Sequence, residues 1–391
     1  MNYNFDEVVD RRGTDALKVE ALKQQWKRSD LLPMWVADMD FRTPPFIMKA
    51  IRERLDSGIL GYTMPAERWA SSIVDWLATR HQWNITPEML CFSPGIVAGI
   101  GLAIRCFTEV GDKVMVMPPV YHPFFLVTQD LQREVVWTPL IQEDDCFRID
   151  FDRFRQNIEG CKLFILCNPH NPGGRVWKKE ELQTIARICA EHHVLVISDE
   201  IHADLTLPPH QHHSYSTISE DARLNNITFM AISKAFNAPG LSSSYSIIEN
   251  EALRTRFHQY VKSCELHAGH VFAFAPVVAA YEQGAEWLEQ ALAYIQGNID
   301  YTERFLAENT PKIKMIRPQA SFLIFMDFRA LGFANQDELT RFVEDGAHLA
   351  LNRGDMFGKE GTGFMRINIA TPRVVLEKAL SQLKAAYDKL P

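Results

Sequence analysis

The chain has no apolar stretch of transmembrane length. Its first residues, MNYNFDEVVDRRGTD, are polar and acid-bearing, unlike a signal or transit peptide. No run of like charges stands out and the formal net charge is −8, which argues against nucleic acid or an anionic membrane as the main partner. The seven cysteines form an odd set without a CxxC pair, and most lie in apolar runs. They fit buried free thiols in a reducing cytoplasm and exclude a disulfide framework or a zinc site. There is no internal repeat and no low-complexity segment. What is present is ordinary globular composition, 47% hydrophobic and 23% charged over 391 residues, long enough that two domains are expected.

Taken in order, residues 1–30 form an arm leading to a short helix near Leu17–Lys27. Leu32–Phe41, LPMWVADMDF, mixes large apolar residues irregularly with two aspartates and suits a cleft-lining loop better than a strand. The plainer alternative is a packed linker whose Asp38 and Asp40 cap backbone amides. Helical spacing over Phe46–Ser57 stops at Gly58, Gly61-Tyr62 follows in a loop, and Glu67–His81 is a second amphipathic helix. From Met89 the pattern becomes α/β. Strands are expected at Met89–Phe92, Lys113–Met117, Val135–Thr138, Leu163–Cys167, Val194–Ser198, Ile227–Ile232 and Tyr245–Ile248. Ser93-Pro94-Gly95 leads into an almost wholly apolar helix reaching Phe107, and Glu180–His193 supplies a right-handed crossover. A parallel-rich sheet of this kind binds ligands along the carboxyl ends of its strands. After Gly284 the character changes: a long helix, Ala285–Asn309, of a length that suits a bridge between domains, then strand Ser321–Asp327, helix Asp337–Asp345, strand Phe364–Ile369 and a closing helix over Val374–Lys389. These elements, with the N-terminal segment, make a smaller α+β domain.

Two strand ends carry the chemistry. ITFMAISKAFN places Lys234 just after an apolar run, and VLVISDEIH ends another such run in Asp199. A lysine there is costly unless paired or functional, and desolvation makes it a candidate amine nucleophile. Alone it reads as a lysine that snorkels to the surface. With Asp199 at the end of a second strand, the pair suits a pyridoxal phosphate site, the lysine bonded to the cofactor and the carboxylate holding the pyridine nitrogen protonated. Three histidines in PPHQHHS (Pro208–Ser214) lack a carboxylate or cysteine at ligand spacing and read as a solvated loop rather than a metal site.

Several stretches together resemble fold type I pyridoxal phosphate enzymes, the aspartate aminotransferase superfamily: Ser233-Lys234 with Phe236-Asn237, Asp199-Glu200-Ile201-His202, Asn168–Gly174 (NPHNPGG) and Arg366 in FMRINIATPR. Leu32–Phe41, Gly61-Tyr62, Ser93-Pro94-Gly95 and SKAFN narrow the likeness to the MalY/PatB-type carbon–sulfur lyases, cystathionine β-lyases of that fold. The resemblance runs from about Asp30 to the C-terminus. It implies an aspartate-aminotransferase-like α/β fold with a mostly parallel seven-stranded sheet, an N-terminal arm and part of the small domain over residues 1–45, a large cofactor-binding domain over 46–284 and a small domain over 285–391. It further implies a homodimer with shared active sites. By the same resemblance Lys234 bonds the cofactor and acts as the base, Asp199 faces the pyridine nitrogen, Asn171 and His202 the ring oxygen, and Tyr121 stacks on the ring. Ser233 and the amides of Gly95, Ile96 and Val97 hold the phosphate, together with Tyr62 of a neighbouring subunit. Arg366 forks the substrate carboxylate, with Asn171, Trp35 and Ala37 beside the substrate and Asn352–Phe357 lining its side chain. One departure is Ser242, which stands where many aminotransferases carry a phosphate-pairing arginine.

Three readings compete. A carbon–sulfur β-lyase cleaves L-cystathionine or related cysteine S-conjugates; an aminotransferase uses the same site with a 2-oxo acid; a regulatory protein keeps the fold and binds a partner. Retention of Lys234 and Asp199 disfavours the third. The missing arginine, and the lack of an obvious second arginine for a dicarboxylic side chain, favour the first.

Overall fold

The computed structural model describes residues 2–143 and 146–391, so Met1, the first residue of the expected arm, lies outside it. Seven strands form the larger sheet: β1 (Leu90–Ser93), β2 (Lys113–Val116), β3 (Glu134–Trp137), β4 (Cys161–Cys167), β5 (Leu195–Asp199), β6 (Asn226–Met230) and β7 (Ser244–Ile247). Their spatial order is β1-β7-β6-β5-β4-β2-β3. Only β7 runs against its neighbours; the remaining pairings are parallel. Near-continuous burial of β4, β5 and β6 explains their unbroken apolar sequences, since helices cover both faces. One such helix, Ile96–Phe107, packs so closely that a Cβ on Gly99 would stand 2.5 Å from the Phe229 ring.

A second, four-stranded antiparallel sheet holds β8 (Lys314–Ile316), β9 (Leu323–Asp327), β10 (Asn352–Arg353) and β11 (Phe364–Asn368) in the order β8-β9-β11-β10. The Ala285–Asn309 helix links the two sheets physically. Its Trp287 meets Phe236, beyond β6, with ring centroids 6.0 Å apart, and its Asn298 donates to the Ile369 and Thr371 carbonyls beyond β11.

Several expectations need correction. The Leu32–Phe41 segment is not wholly loop: Leu32–Pro33 pairs in parallel with Leu349–Ala350, a partner more than 300 residues away that local pattern could not reveal. Asp38 and Asp40 do not cap amides. Asp38 takes a two-pronged contact from Arg11 at 2.6 and 3.1 Å, and Asp40 takes one from the buried Lys18 at 2.8 Å to each oxygen. The strand expected to reach Ile232 stops at Met230, and Lys234 stands on a single helical turn, Ile232–Ala235. His212 is not solvated; it is buried, 2.8 Å from Glu200 Oε2. No group of metal-ligating side chains forms among the described residues. The cysteines are free thiols, mostly buried, although Cys264 is exposed. Among the described residues no helix is long and apolar enough to cross a membrane.

Candidate functional site

The carboxyl ends of β4, β5 and β6 lie level, with Cys167 opposite Asp199 and Asp199 opposite Phe229. Above this edge is a cavity of about 270 Å³. Its walls include Ala37, Gly95, Ile96, Val97, Tyr121, Asn171, Asp199, His202, Ser233 and Lys234, all expected from the sequence. Ala98, Cys167, Ile201 and Ser242–Ser244 line it as well and went unassigned. The run of three serines leading into a strand was a usable signal that polar side chains gather at this edge.

Lys234 Nζ donates to the Ala37 carbonyl at 2.6 Å. Burial, reinforced by the Arg366 charge, brings its ammonium down to about 8, so a neutral amine is accessible near neutral pH. Asp199 Oδ1 accepts the Ile201 amide at 3.0 Å, and burial pushes its carboxyl up to about 7. The two groups therefore await a cationic partner for the carboxylate and an electrophile for the amine. His202 is forced neutral by burial, its imidazole depressed to about 3, and its Nδ1 has no hydrogen-bond partner among the described residues. Burial raises the Tyr121 phenol above its ordinary value. The Val120 amide donates to the Phe357 carbonyl at 2.8 Å, so the Tyr121 segment is tied to the segment that follows β10.

The anion end is built by the start of the Ile96–Phe107 helix. Gly95 adopts φ +100°, a conformation for which a side chain is strained. Its own amide is taken by the Ser93 carbonyl at 2.9 Å, which corrects the expectation that it serves an anion. The amides of Ile96, Val97 and Ala98 open the helix, have no intrahelical acceptor and carry the positive end of its dipole. Ser243 and Ser244 spend their hydroxyl protons on the Ala273 and Ser93 carbonyls.

Arg366 comes from the other sheet. Nη1 donates to Asn171 Oδ1 at 3.1 Å, Nη2 to Asn352 Oδ1 at 2.7 Å and to the Trp35 carbonyl at 3.3 Å, and the guanidinium stands 4.8 Å from the centre of the Phe357 ring. Because Asn171 offers its oxygen to Arg366, its amide nitrogen is what remains to donate into the cavity. Trp35 contributes its carbonyl; its indole turns away to donate to the Lys18 carbonyl and packs on Trp26. Tyr62 is fully exposed and does not line this chain's cavity.

A loop unites these parts. Asn237, three residues beyond the lysine, donates to the carbonyls of Met39 and Phe41 and accepts the Met39 amide, while Asn368, two residues beyond the arginine, donates to the carbonyls of Val36 and Asp38. The loop supplies the Ala37 acceptor and carries lysine and arginine in one frame.

The sequence matches the family described as aminotransferase class I and II over residues 29–383. The chain belongs to that family. Among curated members, it is 40% identical to cystathionine beta-lyase PatB of Bacillus subtilis, covering 98% of this chain and 99% of that one. It is 32% identical to protein MalY of Escherichia coli over 97% and 98% of the two. In three dimensions this class I/II chain superposes on cystalysin of Treponema denticola, solved with pyridoxal 5'-phosphate, with a TM-score of 0.95 at 33% identity and full coverage of both. The C–S lyase of Staphylococcus hominis, also solved with the cofactor, gives 0.91 at 36% identity over 99% of this chain and 98% of that one.

Proposed function

We propose that this chain is a pyridoxal-phosphate-dependent carbon–sulfur β-lyase that converts L-cystathionine or a related cysteine S-conjugate to pyruvate, ammonia and a thiol. The observation that carries the reading is one cavity joining a buried amine, a buried carboxylate and helix-start amides, in a chain whose relatives, matched along nearly its whole length, include named lyases. The donor set fits the cofactor. Asp199 would face the pyridine nitrogen, the Asn171 amide and His202 the ring oxygen, and Tyr121 the ring plane. Ser233 and the amides of Ile96 and Val97 would take the phosphate.

When bound, pyridoxal phosphate supplies an electron sink for the pair left at the substrate Cα. Asp199 keeps that sink charged. Lys234, with its amine near neutrality, takes the Cα proton as general base, and the Ala37 carbonyl directs the nitrogen. Arg366 anchors the α-carboxylate and fixes which Cα bond meets the base. A thiolate then leaves Cβ, and hydrolysis of the remaining three-carbon fragment gives pyruvate and ammonia.

Ser242 in place of a phosphate-pairing arginine supports the lyase reading over transamination, which must readmit a 2-oxo acid. Leu55, Ile59, Leu60, Tyr62 and Met64 expose a run of apolar side chains, and a second copy of the chain covers it, with Tyr62 reaching the partner's phosphate. Residues 46–284 act as the cofactor-binding domain, 285–391 as the smaller one, and the enzyme works in the cytoplasm, where its thiols stay reduced. The deciding assay is pyruvate release from L-cystathionine with and without 2-oxoglutarate. Release independent of the keto acid is expected; turnover that requires it, with glutamate accumulating in step, would replace the lyase by an aminotransferase.

A further inference from the structure

Arg366 is a buried cation whose hydrogen-bond partners among the described residues are all neutral. A guanidinium has five N–H donors. One goes to Asn171, one to the Trp35 carbonyl and one to Asn352, the shortest contact of the three at 2.7 Å. Nε has no partner among the described residues, so it and one Nη1 proton remain for a ligand. Among the described residues no carboxylate pairs with the guanidinium.

Asn352 differs from the other two anchors. Asn171 also lines the cofactor cavity, and Trp35 contributes backbone. Asn352 lies outside the cavity lining, on β10, in register opposite Arg366 on β11. Its own amide nitrogen donates to Met356 Sδ at 3.3 Å, which turns its oxygen toward the guanidinium. The side chain is therefore locked by the segment it belongs to, and it holds Arg366 through Nη2. A carboxylate at this position would hold the arginine as firmly but neutralise it, and would compete with the incoming substrate for the charge.

We propose that Asn352 is a positioning residue for substrate selection: a neutral acceptor that orients Arg366 while leaving its charge free for the α-carboxylate of an amino-acid substrate. This rests on the reading of Arg366 as the carboxylate anchor and extends it to Asn352, which was expected to line the substrate side chain and instead lies outside the cavity lining and acts through Arg366. It explains why the anchor can be rigid and still strongly attractive to an anion.

The test compares Asn352→Asp and Asn352→Ala with the unaltered holoenzyme, using L-cystathionine as substrate and propionate as a competing carboxylate. A hydrogen bond to a charged group corresponds to about 10- to 100-fold in affinity. The alanine variant is expected to raise KM about tenfold. The near-isosteric aspartate variant is expected to raise it further, and to weaken propionate inhibition in parallel, with kcat changed less than about threefold and an unchanged or higher melting temperature. A merely structural Asn352 gives the opposite order, with aspartate close to wild type. An aspartate variant whose KM and propionate inhibition stay within about twofold of wild type overturns the proposal, as does a fall in kcat at unchanged KM. Should the wild type turn over amino acids only with 2-oxoglutarate, the lyase reading fails, and the same KM comparison on that reaction still decides the role of Asn352.

Discussion

Asp199 and Lys234 each cost the cofactor-free chain stability, because both are ionisable groups buried from bulk solvent. For Asp199 the folded carboxyl titrates at about 7 against an ordinary value of 3.8. Raising the pH through that interval therefore favours the unfolded chain, which gives up its proton first. The loss builds between about pH 4 and 7 and then stays constant; at about 1.4 kcal/mol per pH unit its upper limit is roughly 4 kcal/mol. Asp199→Asn, stripped of cofactor, is thus expected to melt above the stripped wild type at pH 8 and level with it at pH 4, measured by calorimetry. The holoenzyme behaves in the opposite sense: Asp199→Ala should lose visible cofactor absorbance and about 10²–10³ in turnover, as for removal of a preorganised electrostatic partner. Activity near wild type would place the carboxylate outside the chemistry. This pair was legible in the sequence because an unbroken apolar strand that ends in a charge is conspicuous. Asn352 was noticed only as part of a lining segment, since its grip on Arg366 depends on the register of two strands.

Among the elements, the loop from Leu32 to Phe41 is the most informative. Its residues carry no periodicity, and its anchors, Asn237 and Asn368, are ordinary polar residues in the sequence. Asn237 adopts φ +48°, so Asn237→Gly leaves the backbone unstrained and removes only the three side-chain hydrogen bonds. A loss of roughly 2 kcal/mol is expected by denaturant unfolding, together with a rise in KM as Ala37 and the Trp35 carbonyl loosen; an unchanged unfolding midpoint would show that the clamp is redundant. Helices with periodic apolar faces, such as Glu67–His81, were readable from spacing alone. Pro123–Asp130 and Phe151–Asn157 were not, being only about two turns long, too short for a periodic face to repeat. Glu251–Ser263 and Ala275–Gln283 also escaped notice, the second because it is apolar nearly all round.

At the scale of the whole molecule, the alternation of strands and helices from Met89 onward announced the α/β sheet, and the break near Gly284 marked the second one. A dimer that shares its sites predicts complementation: Tyr62→Ala mixed with Lys234→Ala should, after subunit exchange, regain activity that neither has alone, because one site of each hybrid keeps both residues. Exchange demonstrated without recovery would count against sharing. The loop that frames the site has a temporal consequence too. Asn368 lies more than 300 residues from the carbonyls it holds, and contacts so distant form late because the intervening chain must first be closed. On the ribosome, Asn237 can hold Met39 and Phe41 early, but the Val36 and Asp38 carbonyls have no Asn368 to hold them until β11 has emerged. Lys234 is then the earlier part of a site whose frame is completed last, and a nascent chain released short of residue 368 should fold much of its larger sheet yet hold no substrate.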